Sequence, residues 1–273
     1  MRKNIILKIL FIICLIILLY NFLSIIKWEK DNRKSKNLLD KLQNFYKEEN
    51  IGSSNEDSFV FVNSENEDKS SSYWYYASMD MINIKFEKLI DINKETTGWI
   101  FVPGTNINYP FVQSKDNNYY LTHSFDKKYN DAGWIYLDYR NDINNLSKNN
   151  ILYGHARLDK TMFGSLKNVL KKTWYSNKDN HVVKISTEKE NTLWQIFSIY
   201  HTKTDPYYIT VNFTDEEFNN YINKVLNKSI YNFDANVNTN DIILTLSTCY
   251  GDNEKLILHA KLIKKEIKNN QSS

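Results

Sequence analysis

Apolar residues along this chain change their spacing several times, and each change predicts an element. Asn4 to Ile26 is almost wholly Ile, Leu and Phe, interrupted by Lys8 and Asn21. A run of about 20 such residues suffices to cross a bilayer as a helix. Lys34 to Glu49 places Leu38, Leu39, Leu42, Phe45 and Tyr46 at three- and four-residue spacing, the pattern of an amphipathic helix. Asn50 to Ser72 is rich in Ser, Asn and acids, broken only by Phe59-Val60-Phe61-Val62, and reads as a mobile linker. Ile82, Phe86, Leu89 and Ile90 predict a second helix ending near Asn93. From Trp99 onward short β-branched and aromatic runs alternate with Asn, Asp and Gly turns, which predicts a β-barrel or sandwich. One helix interrupts that pattern at Asp215 to Ile230. Thr214 and Glu217 form a capping box for it, and Phe218, Tyr221, Ile222, Val225 and Leu226 give it one apolar face. Asp241 to Ile263 then reads as strand, short loop, strand.

Composition narrows the class. The 273 residues supply one sizeable domain once the apolar N-terminal run is set aside, with 42% hydrophobic and 14% aromatic content to pack it. The net charge of +3 includes no dense basic patch outside the flank of the apolar run, which argues against a nucleic-acid partner. The two cysteines, Cys14 and Cys249, exclude a disulfide framework because Cys14 lies inside the apolar run. No small-x-small site follows residue 26, only Lys27-Trp28-Glu29-Lys30, so the run reads as a retained anchor, with a cleaved signal peptide as the competing reading. Charge alone leaves its orientation open. Arg2 and Lys3 favour an inside N-terminus, while Lys27, Lys30, Arg33, Lys34 and Lys36 occupy the other flank.

Cys249 is the single thiol outside that run, and it stands where a strand ends. A thiol so placed beside a histidine can act as a nucleophile, because the thiolate is the reactive form and an imidazole can take its proton. His155 in NNILYGHARL also follows a short strand-like run and is the candidate partner. A lone cysteine is otherwise an inert small hydrophobe. His123, His181, His201 and His259 read as structural or surface residues. Cys249 and His155 offer two ligands where zinc takes three or four, and no carboxylate-rich loop suggests calcium, so no metal or other cofactor is expected.

Several segments together resemble one family, the sortases, and its class B in particular. They are Thr245-Leu-Ser-Thr-Cys249, Tyr153-Gly-His155 followed by Met162-Phe163, Gly98 to Pro110 (GWIFVPGTNINYP), Gln113 to Leu121 (QSKDNNYYL) and Leu137 to Asn141 (LDYRN). The likeness covers roughly residues 78 to 266. It implies a mainly β fold with helices: a closed β-barrel, N-terminal helices and a helix between the late strands. It implies residues 1–3 inside the cell, a transmembrane helix at 4–26, an extracytoplasmic helix and linker at 27–77, a catalytic domain at 78–268 outside the cell, and a disordered tail at 269–273. It implies a cysteine transpeptidase. Cys249 attacks a sorting motif of secreted proteins to form a thioester, and an amine of peptidoglycan or its lipid-linked precursor resolves it.

The chain departs from the family where an arginine commonly stands on the strand after the cysteine. No arginine follows Arg157, and Lys255 occupies the matching place. Lysine keeps the charge but loses the planar fork. A solvated loop lysine is the plain alternative, with Arg157 or Arg140 reaching in instead. By the same resemblance, Asn117, Leu121, Thr204, Tyr208, Ile209 and Ser247 are expected to line a peptide groove, the apolar ones burying side chains and the polar ones bonding the peptide. Filling the barrel is the competing role for each. A binding module without catalysis and a hydrolysing cysteine peptidase remain the alternative functions.

Overall fold

The computed structural model describes residues 2–43 and 59–268. The two N-terminal stretches expected as separate helices are one, α1 (Arg2–Gln43). No Gly or Pro stands between residues 2 and 43, and charged residues continue a helix at little cost, so nothing breaks it at the end of the apolar run. Its side chains from Ile5 to Ile26 are exposed, whereas Asp31, Ser35, Leu39 and Leu42 form a buried stripe against the rest of the chain. Leu39 and Leu42 enter the main core, and the Gln43 side-chain amide donates to the Asn108 carbonyl at 3.2 Å. The remainder of the expected amphipathic helix, with Phe45 and Tyr46, lies outside the described residues, as does the expected tail at 269–273.

Residues 59–72, read from the sequence as part of a linker, are built into the body of the fold. Strand β1 (Phe59–Phe61) adds to the edge of the last strand, Phe59 opposite Glu266. The apolar run finds a strand edge, and a buried ion pair of Glu67 with Lys261 at 2.8 Å ties down the turn that follows. The first half of this linker, 50–58, lies outside the described residues. Helix α2 (Ser72–Ala77) then seats Tyr73 and Tyr76, the Tyr73 hydroxyl donating to the Ile263 carbonyl at 2.7 Å. The helix expected from residue 82 is shorter, α3 (Glu87–Ile92). Ile82 and Ile84 are buried outside any helix instead, an alternation that the apolar spacing did not separate from a helical one, and buried Phe86 is the N-cap of α3.

The barrel comprises β2 (Thr96–Phe101), β3 (Asn108–Val112), β4 (Tyr136–Leu137), β5 (Asn149–Tyr153), β6 (Val182–Ser186), β7 (Glu190–Lys203), β8 (Ile243–Tyr250) and β9 (Glu254–Ile267). Their order is β9-β7-β6-β2-β3-β4-β5-β8, and β8 pairs back onto β9, which closes the sheet and leaves β1 as an outer strand. Closure removes the unpaired edges that an open sheet would expose. Trp99, Trp134, Trp194 and Phe111 fill the interior. A short helix, α4 (Lys172–Tyr175), precedes β6, and α5 (Asp215–Lys228) lies between β7 and β8, as expected. Thr214 and Glu217 cap α5 reciprocally, and Phe218, Tyr221, Ile222 and Val225 pack it over Phe197, Tyr200, Ile243 and Ile257.

The buried stripe on α1 sets where the chain can be cut. Removing residues 1–30 leaves the stripe intact and is expected to give a folded protein without the apolar run. Removing 1–43 takes Leu39 and Leu42 out of the core, at a cost of about 2–5 kcal/mol for each large apolar side chain lost. Thermal melts of the two truncations check this, and equal midpoints would show that α1 contributes nothing to the domain.

Candidate active site

β5 and β8 run side by side and parallel, with Tyr153 opposite Ser247. Two residues further along each chain stand His155, just past the end of β5, and Cys249, the last residue but one of β8, so both lie at the same end of the paired strands. β8 is buried from Ile243 to Thr248 and becomes exposed at Cys249. The join is locked by the Thr248 hydroxyl donating to the Gly154 carbonyl at 2.7 Å and the Gly154 N–H donating to Ser247 at 3.3 Å.

Among the described residues one polar contact orients the His155 ring, Nε2 to the Leu121 carbonyl at 2.8 Å. A carbonyl only accepts, so Nε2 carries the hydrogen and Nδ1 holds the lone pair of the neutral ring. Gly133 makes this possible. Its φ is +60°, and a Cβ there would come within 2.5 Å of the Tyr120 carbonyl oxygen and 2.9 Å of the His155 ring.

Lys255 faces Cys249 across the β8–β9 ladder, and its ammonium donates to the sulfur at 3.1 Å. Tyr208 and Ser247 complete the surround. Burial raises the Tyr208 phenol above its ordinary pKa, a bond from Ser247 and the Lys255 charge opposing and a Cys249 charge adding. The arginine alternatives are engaged elsewhere. Arg140 grips Asp138 through Nε at 2.8 Å and an Nη at 2.7 Å, and also donates to the Ile209 carbonyl. The Arg157 side chain is 9% exposed, lies 3.5 Å from Asp159, and donates to Asn32 of α1.

The other expected groove residues divide. Leu121 is exposed beside His155 through its own carbonyl. Asn117 spends its amide on Asp138 and the Tyr139 N–H. Ile209 lies partly buried beside Arg140, on a groove of about 500 Å³ with Pro206 and Val211. Thr204 stands apart and bonds the Asn253 carbonyl, in the turn of the hairpin that carries Cys249 and Lys255.

Asp138, Tyr136 and Tyr153 were not singled out from the sequence. The buried Asp138 carboxylate accepts from Arg140, from Asn117 and from the Tyr153 hydroxyl at 2.8 Å. Burial raises its pKa, but the Arg140 and Tyr153 bonds outweigh that and hold it below the usual carboxylate range. The Tyr136 and Tyr153 rings lie 5.3 Å apart beneath this network. The signal was present in the LDYRN segment, which the sequence reading used for resemblance alone.

A buried chain of hydrogen bonds leads from the barrel to the Tyr208 segment. The Tyr200 hydroxyl meets His259 Nε2 at 3.0 Å, His259 Nδ1 meets Thr245 at 2.8 Å, Thr245 donates to Asn149 at 2.6 Å, and Asn149 donates to the carbonyls of Tyr208 and Thr210. Burial pushes the His259 pKa down to about 3. The unfolded chain therefore binds a proton that the folded one refuses, and stability falls as pH drops below about 6.5 towards 3, by about 1.4 kcal/mol per pH unit from this group. A His259→Gln protein is expected to lose stability less steeply between about pH 6 and 4 in urea titrations. Parallel slopes would show that His259 does not carry the acid sensitivity.

A thiol, an imidazole and a cation brought to one strand end can perform nucleophilic acyl transfer: attack, proton transfer and charge stabilisation. Comparison with known proteins agrees with that chemistry. The family model for the Sortase domain matches residues 100–263. Sortase B of Staphylococcus aureus is 38% identical over 185 residues, covering 66% of this chain and 75% of that protein. Among solved structures, sortase B from Bacillus anthracis in complex with AAEK1 superposes with a TM-score of 0.67 at 33% identity, over 86% of this chain and 99% of that one. A Staphylococcus aureus sortase B–substrate complex superposes with a TM-score of 0.61 at 37% identity, over 66% and 84% of the two chains.

Proposed function

The chain belongs to the sortase family of cell-wall transpeptidases, and from that premise we propose that it is a membrane-anchored enzyme of the sortase B type, working through a Cys249 thioester. The observation that carries the reading is Cys249 exposed at the end of β8 and bonded to Lys255 at 3.1 Å, with His155 and Cys249 each two residues beyond the paired Tyr153 and Ser247. Cys249 gives its proton to Nδ1 of His155 and attacks the carbonyl of a threonine in a sorting peptide. The C–N bond breaks as His155 protonates the leaving amine, and a thioester remains. An amine of peptidoglycan or its precursor then attacks the thioester and releases the thiol. α1 holds the protein in the membrane through residues 4–26, N-terminus inside and barrel outside. The peptide lies along the groove between the Leu121 and Tyr208 segments, and the reported substrate complex of the Staphylococcus aureus relative supports a peptide partner. Intact-mass analysis of the 31–273 protein with candidate sorting peptides tests this. An acyl adduct on Cys249 that an added amine removes with transfer is the expected result. Release to water alone would make the protein a hydrolase, and no adduct with any peptide would favour the binding-module reading.

Lys255 takes the place of the family's usual arginine. Its ammonium neutralises the developing oxyanion as a single donor. Lys255→Ala is expected to slow acylation by roughly 10- to 1000-fold, the scale of losing one oxyanion donor. Lys255→Arg should retain or raise the rate. A fully active Lys255→Ala enzyme in single-turnover assays would reduce Lys255 to a loop charge.

A further inference from the structure

The apolar run of α1 ends at Ile26, and the next residue is already tied to the barrel domain. The Lys27 ammonium pairs with Asp131 at 2.8 Å and lies 5.6 Å from the centre of the Tyr129 ring, whose hydroxyl donates to the same Asp131. One turn and more further up, Asn130 donates to Ser35 at 3.1 Å and Arg157 to Asn32. At the top, Leu42 is in the core and Gln43 bonds Asn108. The domain is thus held along α1 from Lys27 to Gln43, a rise of about 24 Å, by contacts at both ends and between.

This fixes a height. Helical side chains lean towards the N-terminus, so the Lys27 ammonium and its partners sit at or below the level of the Lys27 backbone, where the apolar run stops. The groups found there suit that depth. Tyr129 is 59% exposed and Trp28 45%, both rings with a polar tip, and the Lys128 side chain is 82% exposed. Amphipathic aromatics and lysines are the residues that partition to the headgroup layer.

We propose that the 127–131 loop rests in the phospholipid headgroup layer of the bilayer that α1 spans, so that this end of the barrel is a membrane-binding surface. The active site comes with it: the His155 ring packs against Gly133, two residues beyond Asp131, and bonds Leu121 of the same segment. The proposal rests on the reading of residues 4–26 as a membrane span.

The test uses the full chain with Cys14→Ser and Cys249→Ala and one new cysteine carrying a fluorophore, reconstituted in phosphatidylcholine–phosphatidylglycerol vesicles with headgroup-region spin-labelled lipid. Lys128→Cys probes the loop, and Asn106→Cys, an exposed site beside Asn108, probes the far end of α1. Loss of most of the fluorescence at 128 and little at 106 is expected. Vesicle-bound protein with position 128 unquenched, or with both positions quenched alike, overturns the proposal alone. Protein that stays in the supernatant overturns the span reading and the proposal with it.

Discussion

Cys249→Ala is expected to abolish peptide cleavage and leave the fold intact. The sulfur is exposed at the end of β8, and the residues buried beneath it belong to Thr245 and Ser247 on the same face. Removing one exposed atom leaves no cavity, so the melting temperature should stay within the small range typical of surface substitutions. The chemistry has no second thiol to fall back on, since Cys14 lies in the apolar run of α1. Chromatographic assay of peptide cleavage, with a matched thermal melt, checks both halves. Residual cleavage by a purified variant would remove Cys249 from the role of nucleophile.

His155→Ala is expected to lower turnover by about 10² to 10⁴, the usual scale for losing a general acid–base group. Among the described residues the ring makes one polar contact, to Leu121, and the adjoining chain is held by backbone bonds such as Phe163 N–H to the His155 carbonyl, which alanine keeps. The loss should therefore appear in the acylation rate and leave the melt unchanged. A fall of less than about threefold would make His155 structural and require another base.

Much of the site was legible because its chemistry is rare in this chain. One thiol outside an apolar run and one histidine at a strand end leave few pairings, and both residues follow runs whose β character is plain. The helix before β8 was equally legible, because a reciprocal cap and an apolar face at helical spacing agree. The misses share a cause: the deciding partner is distant in sequence. β1 becomes a strand because β9 offers an edge some 200 residues later. Ile82 and Ile84 stay outside the helix, where Ser186 takes the Ile84 N–H. α1 continues unbroken because its later turns have a domain to pack on. Asp138 entered the sequence analysis only as part of LDYRN, because the Asn117 and Tyr153 contacts that join Arg140 around it come from separate segments.

The parallel pairing of β5 with β8 has a consequence for how the protein comes into being. Asn149 pairs with Ile243 and Tyr153 with Ser247, so the strand bearing the histidine waits for a segment made almost a hundred residues later. Contacts of such separation form late in folding, because the loop between them must close first. Lys255 reaches Cys249 within the local β8–β9 hairpin, but until β8 docks on β5 the thiol has no His155 imidazole beside it. On the proposed mechanism the thiol gains its general base only when β5 and β8 pair, so a chain that has not made that pairing is expected to accept an acyl group slowly.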